Sequence, residues 1–269
     1  MPPPRNEALF IIGMHRSGTS ALSGSLRFIG YEHGARRMAP QPDNPKGFWE
    51  PRLIARLNEE LLRDAGGSWR RPPDEALFAE AAVSDARKAQ ARSVWMETYG
   101  ETRGAIVCKE PRLAFFIDLW REIAAECGRT PKFLFAIRDV RNVAASLKKR
   151  NDIPAIEGAA LWAAYMFAAL RELPEGAPII SFARLLEDPA REFVRAGLPD
   201  PSPSQLSKIF DFLGCRREAP PPEPHDGSLP HFIADLNDAA TGWTEVPEND
   251  ERSPLLARLE TGLRELRKE

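Results

Sequence analysis

Gly13-Met14-His15-Arg16-Ser17-Gly18-Thr19-Ser20 gathers two glycines, a guanidinium and three hydroxyls into eight residues. A turn of this kind, set between a strand and a helix, points successive backbone N–H groups at one spot. The helix N-terminus adds partial positive charge there, so an anion is held. Gly13 and Gly18 lack the Cβ that would hinder tight turning or close approach. The run is close to the phosphate-loop pattern G-x-x-x-x-G-K-[ST], with one departure. Thr19 stands where nucleoside triphosphatases carry lysine, and the cation comes three residues earlier, at Arg16. The plain alternative is a glycine turn that only reverses the chain ahead of a helix.

Two further cations end apolar runs: Lys109 closes AIVCK and Arg138 closes KFLFAIR. In a parallel sheet the C-terminal strand ends face the ligand crevice, which would place both beside the loop. A phosphate-loop kinase would instead need the lysine at position 19 and a Mg²⁺-binding carboxylate at a strand end. The chemistry expected is anion handling by Arg16, Lys109, Arg138 and backbone donors. A snorkelling Lys109 and an Arg138 merely paired with Asp139 are the structural alternatives.

These residues need elements to hold them. Ala8–Gly13 (ALFIIG) is a continuous apolar run, as in a strand buried on both faces, and residues 21–30 (ALSGSLRFIG) can form a helix stopping near Gly30. Tyr31–Gly47 reads as irregular. Pro51 opens a helix with Leu53, Leu57 and Leu61 in phase, and a second helix is expected from Pro72-Pro73-Asp74 to about Gly100. Strands at Ala105–Lys109, Lys132–Ile137 and Pro178–Phe182 alternate with helices at Leu113–Cys127, from Asp139, and at Ala159–Leu173. That alternation predicts an α/β fold, a central parallel sheet flanked by helices, with a helical insertion at about 50–100. The proline-rich stretch from Cys215 to Pro254 reads as irregular, with a last helix over Leu255–Arg267.

The bulk numbers bound the partners. A composition of 43% hydrophobic and 28% charged residues is that of an ordinary globular chain, with no linker or repeat dividing its 269 residues. A net charge of −2 speaks against a nucleic-acid or anionic-membrane binder, so a phosphate site must be local. Cys108, Cys127 and Cys215 form no CxxC pair. A sparse, odd set fits a reducing compartment, and the expectation is a cytoplasmic protein with no transmembrane segment.

The loop Arg16-Ser17-Gly18-Thr19-Ser20 resembles that of the sulfotransferases that use 3′-phosphoadenosine 5′-phosphosulfate (PAPS), where a strand runs into Lys/Arg-Ser/Gly-Gly-Thr-Thr/Ser. The segment FLFAIRDVRNVAASLK resembles their second motif, an arginine at a strand end and a serine eight residues on: here Arg138 and Ser146. Val140 and Asn142 depart from that motif at positions that do not contact phosphate. The likeness spans about residues 8–190 and includes IISFARLLEDP.

The resemblance implies one sulfotransferase domain over residues 1–269, with PAPS as co-substrate, no metal, and a carbohydrate or other alcohol as acceptor. It implies that His15, Arg16, Ser17, Gly18, Thr19 and Ser20 hold the 5′-phosphosulfate, and that Arg138 and Ser146 hold the 3′-phosphate. Arg16 and Lys109 would stabilise charge on the leaving phosphate. Many members use a histidine two residues after the lysine, but Pro111 stands there. Other branches use a glutamate between the loop helix and the next, a place filled by Glu50 in KGFWEP. Phe48 and Trp49 would form an apolar wall beside it, although a carboxylate just ahead of a helix can also serve the helix terminus alone. His15, His33, His225 and His231 are the rival bases, Glu110 and Arg112 are candidate contacts, and Arg216 or Arg217 could close over the nucleotide.

Overall fold

The computed structural model describes residues 1–42, 44–74, 83–214 and 229–267. Its centre is β1 (Glu7–Ile12), buried at every position. Ala8, Phe10 and Ile12 enter one hydrophobic cluster, and Leu9 and Ile11 enter the other, on the opposite face. The two-residue alternation of a strand thus supplies both layers, which is why the run has no polar face.

β2 (Ile106–Lys109) and β3 (Thr130–Ile137) flank β1, and β4 (Ile179–Ser181) lies outside β3, giving the order β2-β1-β3-β4. Every pairing is parallel, with Phe10 opposite Cys108 on one side and Phe133 on the other. The fold is α/β with a parallel sheet covered by helices, as the alternating pattern predicts. Because β1 connects towards β2 while β3 connects towards β4, the sheet order reverses between β1 and β3. Ligands of open α/β sheets bind outside the strand ends at such a reversal.

On one face lies α1 (Thr19–Leu26), joined by α8 (Pro189–Arg195) and α9 (Pro203–Leu213), through Leu22, Leu26, Phe193 and Ile209. The other face is covered by α2 (Arg52–Asp64), α3 (Asp85–Tyr99), α4 (Ile117–Glu126), α5 (Val140–Asn151) and α6 (Ala155–Glu172). Nearly all of α6 is buried, so its apolar character belongs to a core helix. No single helix among the described residues is long and apolar enough to cross a membrane.

Several boundaries differ from expectation. Of the helix expected from Pro72 to Gly100, residues 75–82 lie outside the described residues; Asp85–Tyr99 is helical and is capped by the Ser84 side chain, which accepts from the Arg87 amide at 3.3 Å. Pro111–Phe115 forms a 3₁₀ turn ahead of α4. Short α7 (Phe182–Glu187) follows β4 directly. The expectation of an irregular stretch up to Pro254 fails at α10 (His231–Gly242) and at α11 (Asn249–Leu266), which contains Pro254. Ile233, Leu236, Asn237 and Ala240 recur at helical spacing and are buried, and Pro230 merely sits ahead of the first turn. Cys215, Arg216, Arg217 and His225 lie outside the described residues.

Candidate functional site

The loop after β1 is shaped by backbone that few side chains tolerate. Gly13 and Gly18 have φ of 153° and 82°, and a Cβ on Gly13 would come within 2.5 Å of the Ala136 carbonyl on β3. A Cβ on Gly18 would meet the Phe182 ring at 2.2 Å. Arg16 also adopts a left-handed conformation, φ 70°, unusual for a residue with a side chain. Two long-range contacts hold it there. Arg138 donates through Nη1 to the Arg16 carbonyl (3.1 Å), and Arg16 donates through Nε to Ser146 Oγ (2.8 Å). The loop after β1, the residue that follows β3 and the middle of α5 therefore meet at one arginine.

Asp139 does not neutralise Arg138. It caps α5 by accepting from the Arg141 amide at 2.9 Å, and its carboxylate pairs with the Arg141 guanidinium. Arg138 makes no ion pair among the described residues and lies over the Phe182 ring at 5.0 Å. Burial, followed by the neighbouring Arg16 charge, pushes its pKa down. Two guanidiniums this close are suited to an anion between or beside them.

Beneath the loop is a cavity of about 350 Å³ lined by His15, Arg16, Thr19 and Ser20 from the loop and α1, with Glu50 and Lys109 from the sheet side. Lys109 and Glu50 are buried, 2% and 6% exposed, and their side chains meet at 2.5 Å between Nζ and Oε1. Nζ also donates to Ser20 Oγ (3.2 Å) and to the Phe48 carbonyl (3.4 Å). Ser20 itself donates to the Phe48 carbonyl at 3.1 Å. Among the described residues, Oε2 of Glu50 takes no hydrogen bond, so one carboxylate oxygen remains able to receive a proton. Ser17 is buried within the turn, where its amide donates to the Met14 carbonyl at 3.2 Å.

His15 packs on Trp69 (ring centroids 4.6 Å apart) and on Tyr165 (5.7 Å), and its buried Nε2 has no hydrogen-bond partner. Burial first, then Arg112, Lys109, Arg150 and Arg16, push its pKa well below the usual value, so the ring is neutral. A neutral imidazole with an unused nitrogen beside a cationic cavity can offer an N–H to a bound anion. His33 is placed differently: its Nε2 lies 2.9 Å from the Ser23 carbonyl and 3.1 Å from Ser23 Oγ, so the ring ties a loop to α1. Burial, with Arg37 and Arg27 adding to it, lowers its pKa to about 4 even though the bond to Ser23 opposes the shift. His33 does not line the cavity. His231 begins α10 on the surface.

Some of the lining carries no motif. Trp69, Arg150 and Asn151 close the cavity's far wall, with Arg150 stacked over Phe48 at 5.1 Å. Arg112 reaches the cavity while binding Glu59 (2.7 Å) and Glu110. Glu110 is fully buried and accepts from Asn58 at 2.7 Å; burial raises its pKa, opposed by Arg112. It turns into the helical layer and is no part of the lining. Trp49 does not join Phe48 in the wall: it faces a neighbouring pocket, and Trp69 takes that place.

No protein-family model matches the chain, and no curated protein matches it in sequence. Among solved structures, a sulfotransferase of Mycobacterium tuberculosis H37Rv is similar at 15% identity and a TM-score of 0.43, over 76% of this chain and 71% of its own. The sulfotransferase domain of the Synechococcus PCC 7002 olefin synthase is similar at 17% identity and a TM-score of 0.40, over 97% of this chain and 95% of its own. A sulfotransferase domain from the curacin biosynthetic pathway follows at 16% identity and a TM-score of 0.38, over 84% and 80%. At such identities and scores, only the residues of the cavity can speak for function.

Proposed function

We propose that the chain, residues 1–269, is one sulfotransferase domain that moves a sulfuryl group from PAPS to an alcohol, such as a carbohydrate hydroxyl. The observation that carries this reading is the common cavity of the phosphate loop and the Lys109–Glu50 pair, with Arg138 and Ser146 both fastened to Arg16. The residues fit such a donor: a guanidinium on Arg138 with no ion pair among the described residues, a buried His15 nitrogen with no hydrogen-bond partner among them, and glycines at which a Cβ would clash.

When bound, PAPS supplies a sulfuryl group already attached to a phosphate leaving group. Arg138 and Ser146 hold its 3′-phosphate, and the loop from His15 to Ser20 holds the 5′-phosphosulfate. Glu50 receives the proton of the acceptor hydroxyl as that oxygen bonds to sulfur, and later releases it to solvent. Arg16, Lys109 and the loop amides hold the charge that the departing phosphate oxygen takes with the S–O electron pair. Lys109 touches both Glu50 and Ser20, so it links the base to the phosphate loop.

Calorimetry with 3′,5′-adenosine bisphosphate and with ATP tests the reading. Binding of the bisphosphate with weak or absent ATP binding supports it; preference for ATP, with Mg²⁺-dependent transfer, assigns the cavity to phosphoryl chemistry.

A further inference from the structure

The stretch ahead of α2 divides two cavities. Phe48 and Glu50 face the one already described, while Gly47 and Trp49 face a second, of about 560 Å³, and Met38 borders both. The left-handed backbone at Gly47 (φ 91°) and Trp49 (φ 60°) turns the chain between the two. The second cavity is lined by four cations, Arg27, Arg36, Arg37 and Lys46, and, among the described residues, by no carboxylate. In a chain of net charge −2 such a gathering is local, not background.

The cations are held by aromatic rings more than by acids. Arg27 lies over Trp49 at 4.6 Å, over Phe28 at 4.4 Å and over Phe212 at 4.7 Å. Arg37 lies over Trp49 at 5.3 Å. Of the four, Arg36 pairs with a carboxylate, Glu97, at 2.7 Å, and Lys46 donates to the Phe212 carbonyl. Stacking fixes a guanidinium plane while leaving its N–H edge free, the arrangement that binds an oxyanion in bidentate fashion. Burial, and then the Arg37 charge, lower the Arg27 pKa.

We propose that this pocket is an acceptor subsite, and that the acceptor is an alcohol carrying an anionic oxygen group, a carboxylate or a sulfate ester. The inference rests on the sulfotransferase reading for the word acceptor, and on the pocket alone for the anion. Phe48 and Glu50 line one cavity and Gly47 and Trp49 the other, and Met38 borders both, so the anion site adjoins the cavity in which Glu50 serves the hydroxyl.

The test uses the full chain saturated with 3′,5′-adenosine bisphosphate. Binding of three aryl glycosides is compared by calorimetry: p-nitrophenyl β-D-glucuronide, the 6-O-sulfo-β-D-glucoside and the neutral β-D-glucoside. At least one charged glycoside is expected to bind about ten-fold or more tightly than the neutral one, and the tighter of the two names the anion. Arg37→Gln, a change at an exposed residue without an ion pair among the described residues, is expected to remove most of that preference and leave the bisphosphate affinity unchanged. The double change Arg27→Gln/Arg37→Gln is expected to abolish it. Equal binding of all three glycosides, no binding of either charged one, or a preference that survives both variants would overturn the proposal. So would a loss confined to the bisphosphate, which would give the pocket to the nucleotide. Failure of the wild-type chain to bind the bisphosphate at all sinks the sulfotransferase reading instead; the glycosides titrated without it then still test the anion site.

Discussion

Nζ of Lys109 lies 2.5 Å from Oε1 of Glu50, joining the end of β2 to the residue that precedes Pro51 and α2. Both side chains are almost fully buried, at 2% and 8% exposure. Taking two charges out of water is costly, and their attraction offsets that cost only while both are present. Lys109→Met alone is therefore expected to destabilise the protein by roughly 3–5 kcal/mol, because it strands a buried carboxylate. Adding Glu50→Leu should recover most of the loss. Denaturant melts of the single and double variants check this; a double variant that is no more stable than the single would show that the pair is not coupled.

Glu50→Gln keeps an oxygen for Lys109 to donate to but removes the base. Turnover is expected to fall by about two to four orders of magnitude, with bisphosphate affinity held near the wild-type value. Near-normal turnover would move the proton-accepting role to His15, whose Nε2 has no partner and which lines the same cavity. His33 is no substitute, because its Nε2 is committed to Ser23.

Arg138 both faces the expected 3′-phosphate and supports the loop by donating to the Arg16 carbonyl. Arg138→Ala should weaken 3′,5′-adenosine bisphosphate by roughly 10- to 150-fold more than 5′-adenosine monophosphate, as the loss of a charge-assisted contact of about 1.5–3 kcal/mol predicts. The part lost equally by both ligands measures the support given to the loop. If the two losses are the same size, Arg138 acts only through Arg16.

How much of this could be read beforehand follows from how local each signal is. The tight turn between β1 and α1 was legible because glycines at fixed spacing set its backbone directly. That Arg16, Arg138 and Ser146 touch was not, since α5 and β3 reach the loop only through the sheet order. Trp69 and Arg150 carry no pattern at all and enter the cavity by packing, Trp69 against His15 and Arg150 against Phe48. The side that Trp49 faces was not legible, because it depends on left-handed backbone at Gly47 and at Trp49 itself, φ 91° and 60°. Likewise α10 was hidden by counting prolines, although Ile233, Leu236, Asn237 and Ala240 already had the helical period.

His33 gives a prediction independent of any substrate. It is 7% exposed, and burial lowers its pKa to about 4 from a usual value of 6.5. The folded protein thus holds the ring neutral over a range in which the unfolded chain protonates it. The unfolded state binds the extra proton below about pH 6.5, so stability falls as pH drops from there towards 4. The His33 contribution to that fall is at most about 3 kcal/mol. Buried His15 adds to it with the same sign, while Asp139, whose pKa is pushed below 3.8, acts in a more acidic window. His33→Gln retains an N–H for the Ser23 carbonyl but cannot titrate. Urea denaturation at a series of pH values should show a shallower slope for the variant between pH 6.5 and 4, and no change of slope above pH 7. Parallel curves for the two proteins would mean that His33 is already protonated, or already solvated, in the native state.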